Sequence, residues 1–178
     1  MKVVRIILLI LFALVLITFG AWRIVKTITA FTVAHSITLS MAVLGFVHVP
    51  SAPVEAIVAL SIVFLAVELV HYHQGRIGLT ARYPWIVAFI FGLLHGFGFA
   101  GALTEVGLPQ TDIPFALAFF NIGVEIGQLA FVLVLLGLIW LIDQRKAKYP
   151  DWARLVPAYS IGIIAAMWCF ERIIGFWY

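Results

Sequence analysis

Residues that can bind a metal ion or carry a proton occur inside three stretches of otherwise apolar sequence. His35 and His95 each lie in one such stretch, and Glu125 lies in a third. On insertion scales, an ionisable side chain at the middle of a membrane-spanning helix costs about 2.5–3.5 kcal/mol, so each of these residues needs a reason to be there. A carboxylate at that depth has to be protonated, paired or bound to a cation.

Glu125 belongs to a stripe of polar side chains. Asn121, Glu125 and Gln128 follow one another at the spacing that places them on one face of a helix. Combined with two imidazoles, this carboxylate and an amide oxygen would suit a borderline divalent metal such as nickel or zinc. The same groups would also suit a proton relay or a structural network of hydrogen bonds. The residues alone leave these three alternatives open.

The surroundings of the two histidines favour close helix packing. Gly92 and Gly96 flank His95 as a small-xxx-small pair, which lets another helix approach closely. Thr32 and Ser36 lie beside His35, and hydroxyls of this kind often bond to their own helix. The alternative interpretation of His35 is therefore a packed, neutral histidine.

A further candidate ligand is Glu68. Glu68 and His71 are three residues apart, the spacing of the metal-binding Glu-x-x-His pairs in helical bundles. One such pair is a weak signal, because histidines at a membrane boundary are ordinarily solvated. The full set of candidate metal ligands is His35, His95, Asn121, Glu125 and Glu68.

The elements that position these residues follow from the composition. The chain has 178 residues, of which 65% are hydrophobic and 11% are charged. Soluble domains are about 45–50% apolar and roughly 25% charged. This difference excludes a soluble enzyme and a disordered chain, and the single cysteine, Cys169, excludes a disulfide scaffold. The composition is typical of an integral membrane protein.

Six apolar stretches approach the roughly 20 residues that a helix needs to cross a bilayer. They are residues 4–22, 28–49, 54–70, 84–103, 114–142 and 155–176. We therefore predict an all-α, polytopic transmembrane helix bundle of about six spans. No part of the chain is left for a separate soluble domain, so residues 1–178 form a single transmembrane domain in this interpretation.

The basic residues predict an orientation. Most of the Lys and Arg residues fall in the loops 23–27, 71–83 and 143–154. Cytoplasmic loops of membrane proteins carry an excess of Lys and Arg. We therefore expect these three loops to be cytoplasmic and both termini to face outward.

Two classes of function are excluded at this point. The net charge of +3 does not indicate a nucleic-acid partner, because the basic residues are spread along loops. No Ser-His-Asp, Cys-His or phosphate-loop arrangement is present, and no His-Glu-x-x-His motif of a metalloprotease. We expect no enzymatic activity and no certain cofactor, with nickel or another divalent metal as the candidate ligand.

Three segments of the chain carry a recognisable pattern: TAFTVAHSITL at 29–39, FGLLHGFGFAGAL at 91–103 and FNIGVEIGQL at 120–129. In this order and spacing they resemble the HupE/UreJ family of small bacterial membrane proteins. The segment 53–68 also fits, and the resemblance extends from about residue 29 to residue 136.

The resemblance implies a multi-pass protein of the bacterial inner membrane. The family is associated with hydrogenase and urease gene clusters and is regarded as a permease for nickel or a related metal. On this basis His35, His95, Asn121 and Glu125 match family motif positions, and Glu68 matches less closely. Members described as metal transporters also carry a His-Pro-x-x-x-Gly-x-Asp-His motif in an early helix, whereas the first apolar run here has no histidine and no aspartate.

Two functions are therefore predicted as alternatives. The first is a permease for nickel or another divalent metal. The second is a non-transporting accessory or structural subunit that kept the scaffold and lost the metal motif. The expected partners are the lipid bilayer and either a larger membrane complex or further copies of the same chain.

Overall fold

The structure is a computed structural model that describes residues 2–18, 20–106, 113–144 and 150–176. All regular structure in these ranges is helical. The helices are α1 (Lys2–Ile17), α2 (Ala21–Val43), α3 (Ser51–His73), α4 (Leu79–Arg82), α5 (Pro84–Val106), α6 (Ile113–Gln144) and α7 (Val156–Ile174), with a 3-10 turn at Asp151–Arg154 before α7. The all-α class is confirmed.

Within the described ranges, four segments are long and apolar enough to cross a membrane. They are Ala21–Val43, Ser51–His73, Ile113–Ile142 and Val156–Ile174. A shorter apolar segment, Pro84–Phe99, lies in α5. Many large apolar side chains on these helices are exposed, among them Phe119 and Leu133 on α6. An exposed apolar surface of this extent is what a helix bundle presents to lipid rather than to water.

A glycine with positive φ lies in each of the connections that follow α1, α2 and α3. Gly20 has φ of 97°, Gly45 of 79° and Gly75 of 78°. L-residues rarely adopt this backbone conformation, so glycine is the residue that ends a helix there. Helix α1 ends at Ile17, before its apolar run does, and Gly20 is the N-cap residue of α2, which begins at Ala21. As a result, residues 23–27 are helical in the structure rather than a loop, and the predicted loop 143–154 includes residues 145–149, which lie outside the described ranges.

Helix α2 packs most extensively against α5. The backbone of Gly92 lies against Phe31 and Ala34, and the backbone of Gly96 lies against His35. Positions on both helices increase together along this contact, so the two helices run parallel. The predicted close approach at Gly92 and Gly96 is therefore made by α2.

The other helices complete the bundle around α3. Helix α7 runs antiparallel to α3, since Gly162 lies against Ala66 at one level and Arg172 pairs with Glu55 at another. The largest cluster of buried apolar side chains joins α1, α2, α3, α5 and α7. Helix α6 packs on the outside, against α2 and α1. This arrangement leaves α2 enclosed between α5 on one side and α6 on the other.

Candidate functional site

His35 on α2 and His95 on α5 both pack against the ring of Phe31, where the two helices meet. His35 is fully buried and His95 is 2% exposed. The Phe31 ring contacts both imidazoles, with centroid distances of 5.9 Å to His35 and 5.4 Å to His95. The structure therefore brings together two of the predicted ligands, from two different helices.

The hydrogen bond of His95 determines which of its ring nitrogens is available. His95 Nδ1 lies 2.6 Å from the carbonyl oxygen of Phe91. Because a carbonyl oxygen only accepts, Nδ1 carries the hydrogen and donates it, so the neutral ring keeps its lone pair on Nε2. Among the described residues, His95 Nε2 and both ring nitrogens of His35 are buried without a hydrogen-bond partner. Three buried imidazole nitrogens are thus left unsatisfied at one place.

Two members of the polar stripe of α6 accept hydrogen bonds from α2. Thr29 Oγ1 donates a hydrogen bond to Glu125 Oε1 at 2.8 Å. Thr32 Oγ1 donates to Gln128 Oε1 at 3.0 Å. Thr29 precedes His35 by six residues, which is about 9 Å along a helix axis. The Glu125 carboxylate is therefore held by a hydroxyl that is displaced along α2 from the histidine pair.

The ring of Phe99 on α5 contacts His35, and Asn121 is a buried amide of the neighbouring helix α6. Asn121 Nδ2 donates to the carbonyl oxygen of Leu117 at 2.9 Å. Its Oδ1 is buried and has no partner in the described part of the chain. The Phe99 ring packs edge-on against His35 at 5.8 Å and against Phe120 of α6 at 5.2 Å. Phe99 therefore links the histidine pair to α6.

Glu68 takes part in a different contact. Its Oε2 accepts a hydrogen bond of 2.7 Å from the backbone N–H of Thr80. The carboxylate lies directly beside Gly78, where an added Cβ would collide with it. Glu68 therefore joins the end of α3 to the start of α4. No group of three or more His, Cys, Asp or Glu side chains that could hold a metal together is found among the residues that the structure describes.

Sequence reasoning missed Thr29, Phe31 and Phe99. A signal for Thr29 was present, because Thr29 precedes Thr32 by three residues and extends the same hydroxyl face of the helix. Phe31 precedes His35 by four residues, which also places the two on one face. Nothing in the order of residues indicates that Phe99 contacts His35, since that contact depends on how α2 and α5 are aligned.

The four long apolar helices and their exposed apolar surface indicate a helical membrane protein. A model of the HupE / UreJ protein family matches residues 7–172, which is nearly the whole chain. The chain therefore belongs to the HupE/UreJ family, as its three motif segments predict. No curated protein and no solved structure matches it.

Proposed function

We propose that this protein is a membrane permease for a borderline divalent metal such as nickel, and that His35 and His95 are its central cargo ligands. The observation that carries the proposal is the set of three buried, unpartnered imidazole nitrogens at the contact of α2 with α5. A buried polar group without a partner costs about 1–3 kcal/mol. A metal cargo would satisfy these nitrogens, and imidazole is a preferred ligand of nickel and zinc.

The hydrogen bond to Phe91 supports this role for His95. Ligating histidines almost always donate their second ring N–H to a carboxylate, carbonyl or water, which fixes the tautomer and the ring orientation. His95 makes this bond through Nδ1, so Nε2 is the nitrogen offered to the cargo. Asn121 Oδ1 and the carboxylate of Glu125 would supply oxygen ligands along the adjoining face of α6.

We assign Glu125 the role of a negative charge along the transport path of the cation. It is the carboxylate of the α6 stripe and is held by the Thr29 hydroxyl. A divalent cation that leaves the histidine pair would meet this carboxylate about two helical turns away. Glu68, in contrast, already caps the backbone of Thr80, so we assign it a structural role.

A topology of six crossings follows from the same proposal. It would consist of α1, α2, α3, α5, α6 and α7 in the bacterial inner membrane, with the basic residues around 71–83 in the cytoplasm. The parallel course of α2 and α5, separated by α3, agrees with such an arrangement. Labelling of single cysteines at residues 48 and 76 from either side of sealed vesicles would test it, since the two positions should react from opposite sides.

Uptake of nickel or zinc into proteoliposomes tests the transport function. His95→Asn keeps a hydrogen-bond donor near the position of Nδ1 and removes Nε2. We expect it to lower uptake by at least about tenfold, the size of effect seen for weaker changes around metal sites. Glu125→Gln keeps the acceptor for Thr29 and removes the charge, and we expect reduced uptake there as well.

The matched control is His48→Asn. His48 is exposed in the loop after α2, so the same substitution there should leave uptake unchanged. The protein should carry no histidine tag, because a tag binds nickel. Uptake that is indifferent to both His95→Asn and Glu125→Gln would remove the permease proposal.

The contacts of α6 favour a second candidate, a non-transporting subunit of a larger membrane complex. Thr29 with Glu125 and Thr32 with Gln128 are hydrogen bonds between helices, and such bonds hold transmembrane helices together without any transport. Purification in mild detergent separates the two candidates. Copurification of a stable partner protein would favour the subunit, whereas recovery only as a monomer or homo-oligomer would count against it.

A further inference from the structure

The first turns of α2 and α5 form a basic and aromatic surface at one end of the bundle. The ammonium of Lys26 lies 4.5 Å from the centroid of the Trp85 ring. Arg23 precedes Lys26 by three residues on α2, so the two cations share one face of that helix. Trp22 is 78% exposed beside them. We call Arg23, Lys26 and Trp85 the basic end site.

Within the part of the chain that the structure describes, no acidic side chain pairs with the cations of this site. Among the described side chains, the ion pairs involve only Arg172, which pairs with Glu55 and Glu171. Those residues lie at the opposite end of the bundle, where α3 begins and α7 ends. Glu68, near the end of α3 on this side of the bundle, is bonded to the backbone of Thr80. With no ion pair to a described acid, Arg23 and Lys26 offer two cations to an external anion.

The surface beside the site is apolar rather than polar. Along α5, Ile86 and Ile90 follow Trp85 and are exposed, and Val25, which lies between the two cations in sequence, is exposed on α2. An anion that binds here would thus adjoin a hydrocarbon surface that runs along the helices. Tryptophan is favoured at the headgroup level of a bilayer, where one part of the ring is apolar and the other is wet.

From this juxtaposition we infer that the basic end site binds the headgroup of an anionic phospholipid. The phosphate lies between Arg23 and Lys26, and the acyl chains follow the exposed face of α5. Trp85 orients the Lys26 ammonium from its ring face. Basic residues next to a membrane contribute about 1 kcal/mol each to the attraction of anionic lipid.

Native mass spectrometry of the full-length protein in a non-ionic detergent tests this inference. Phosphatidylglycerol and phosphatidylcholine are titrated separately. We expect the wild type to retain phosphatidylglycerol more strongly, and Lys26→Gln to weaken that binding about fivefold. Lys26→Arg should retain it, and added salt should weaken it because the charges are exposed.

Arg76→Gln is the matched control, since it removes one exposed cation from the loop after α3. It should change lipid binding much less than Lys26→Gln does. Size-exclusion profiles identify any variant that fails to fold. If Lys26→Gln is such a variant, the inference is tested by Lys26→Arg, which should retain phosphatidylglycerol as the wild type does. Equal effects of Lys26→Gln and Arg76→Gln would mean a diffuse charge effect and overturn the inference. Equal binding of the two lipids, or displacement of lipid by millimolar inorganic phosphate, would overturn it too.

Discussion

Adding a single methyl group at Gly96 should push α2 and α5 apart. A Cβ at this position would collide with Thr38 Oγ1 and the carbonyl oxygen of His35, and would lie 2.9 Å from the backbone nitrogen of Leu39. Two of these three atoms belong to the backbone of α2, which cannot rotate away as a side chain can. Gly96→Ala therefore forces the two helices to separate or to slide.

The expected loss follows from the cost of overpacking. Inserting a methyl group into a well-packed interior costs about 1–3 kcal/mol. In a chain of this size, each kcal/mol shifts the midpoint of thermal unfolding by about 2–4 °C. We expect Gly96→Ala to lower the midpoint by about 2–12 °C. The same separation would move His35 away from His95, so metal binding should weaken together with stability.

Gly123→Ala is the matched control. Gly123 lies on α6, and an added Cβ there meets nothing within 4 Å. Alanine is the better helix former by about 0.5–1 kcal/mol, so the midpoint should stay the same or rise slightly. The measurement is thermal unfolding of the purified proteins in one detergent, followed by tryptophan fluorescence. Equal midpoints for the two variants would refute the close contact of α2 with α5.

The remaining predictions concern a buried hydrogen bond between helices and a partly exposed ion pair. Thr32→Val removes the donor to Gln128 Oε1 between two buried side chains, and should lower the unfolding midpoint by the equivalent of about 0.6–1.7 kcal/mol; Thr32→Ser should remain close to the wild type, and a drop as large as that of valine would argue against the bond. Glu55→Gln weakens the 2.8 Å ion pair with Arg172, whose side chains are 40% and 29% exposed. Since exposed pairs contribute about 0–1 kcal/mol, we expect little change in the midpoint, and a large drop would show that the pair is buried.

Much of the fold could be predicted because lipid imposes a simple rule on the chain. Long apolar runs become helices, since a helix satisfies its own backbone hydrogen bonds. The helix that begins at Ala21 was harder to predict, because Gly20 looks like one more small residue in an apolar run. The positive φ of Gly20 depends on how the chain turns between the end of α1 and the start of α2.

The candidate site could also be predicted only in part from the sequence. The spacing of Asn121, Glu125 and Gln128 predicts which face of α6 is polar, and that face does meet α2. Spacing does not reveal the register between two helices, so the partner of Glu125 could not be predicted. The sequence favoured His35 and His95 as its neighbours, whereas its carboxylate is bonded to Thr29. The spacing along α2 does not tell whether a hydroxyl or an imidazole meets Glu125, because that depends on how α6 is aligned with α2.

The most direct test of the metal site is X-ray absorption at the nickel edge on tag-free protein loaded with one equivalent of nickel. If His35 and His95 are the central ligands, the spectrum will contain the outer-shell scattering of two imidazole rings. His95→Asn will then halve that signal, and His48→Asn will leave it unchanged. A spectrum with oxygen ligands alone, or one that is identical in His95→Asn, would contradict the account.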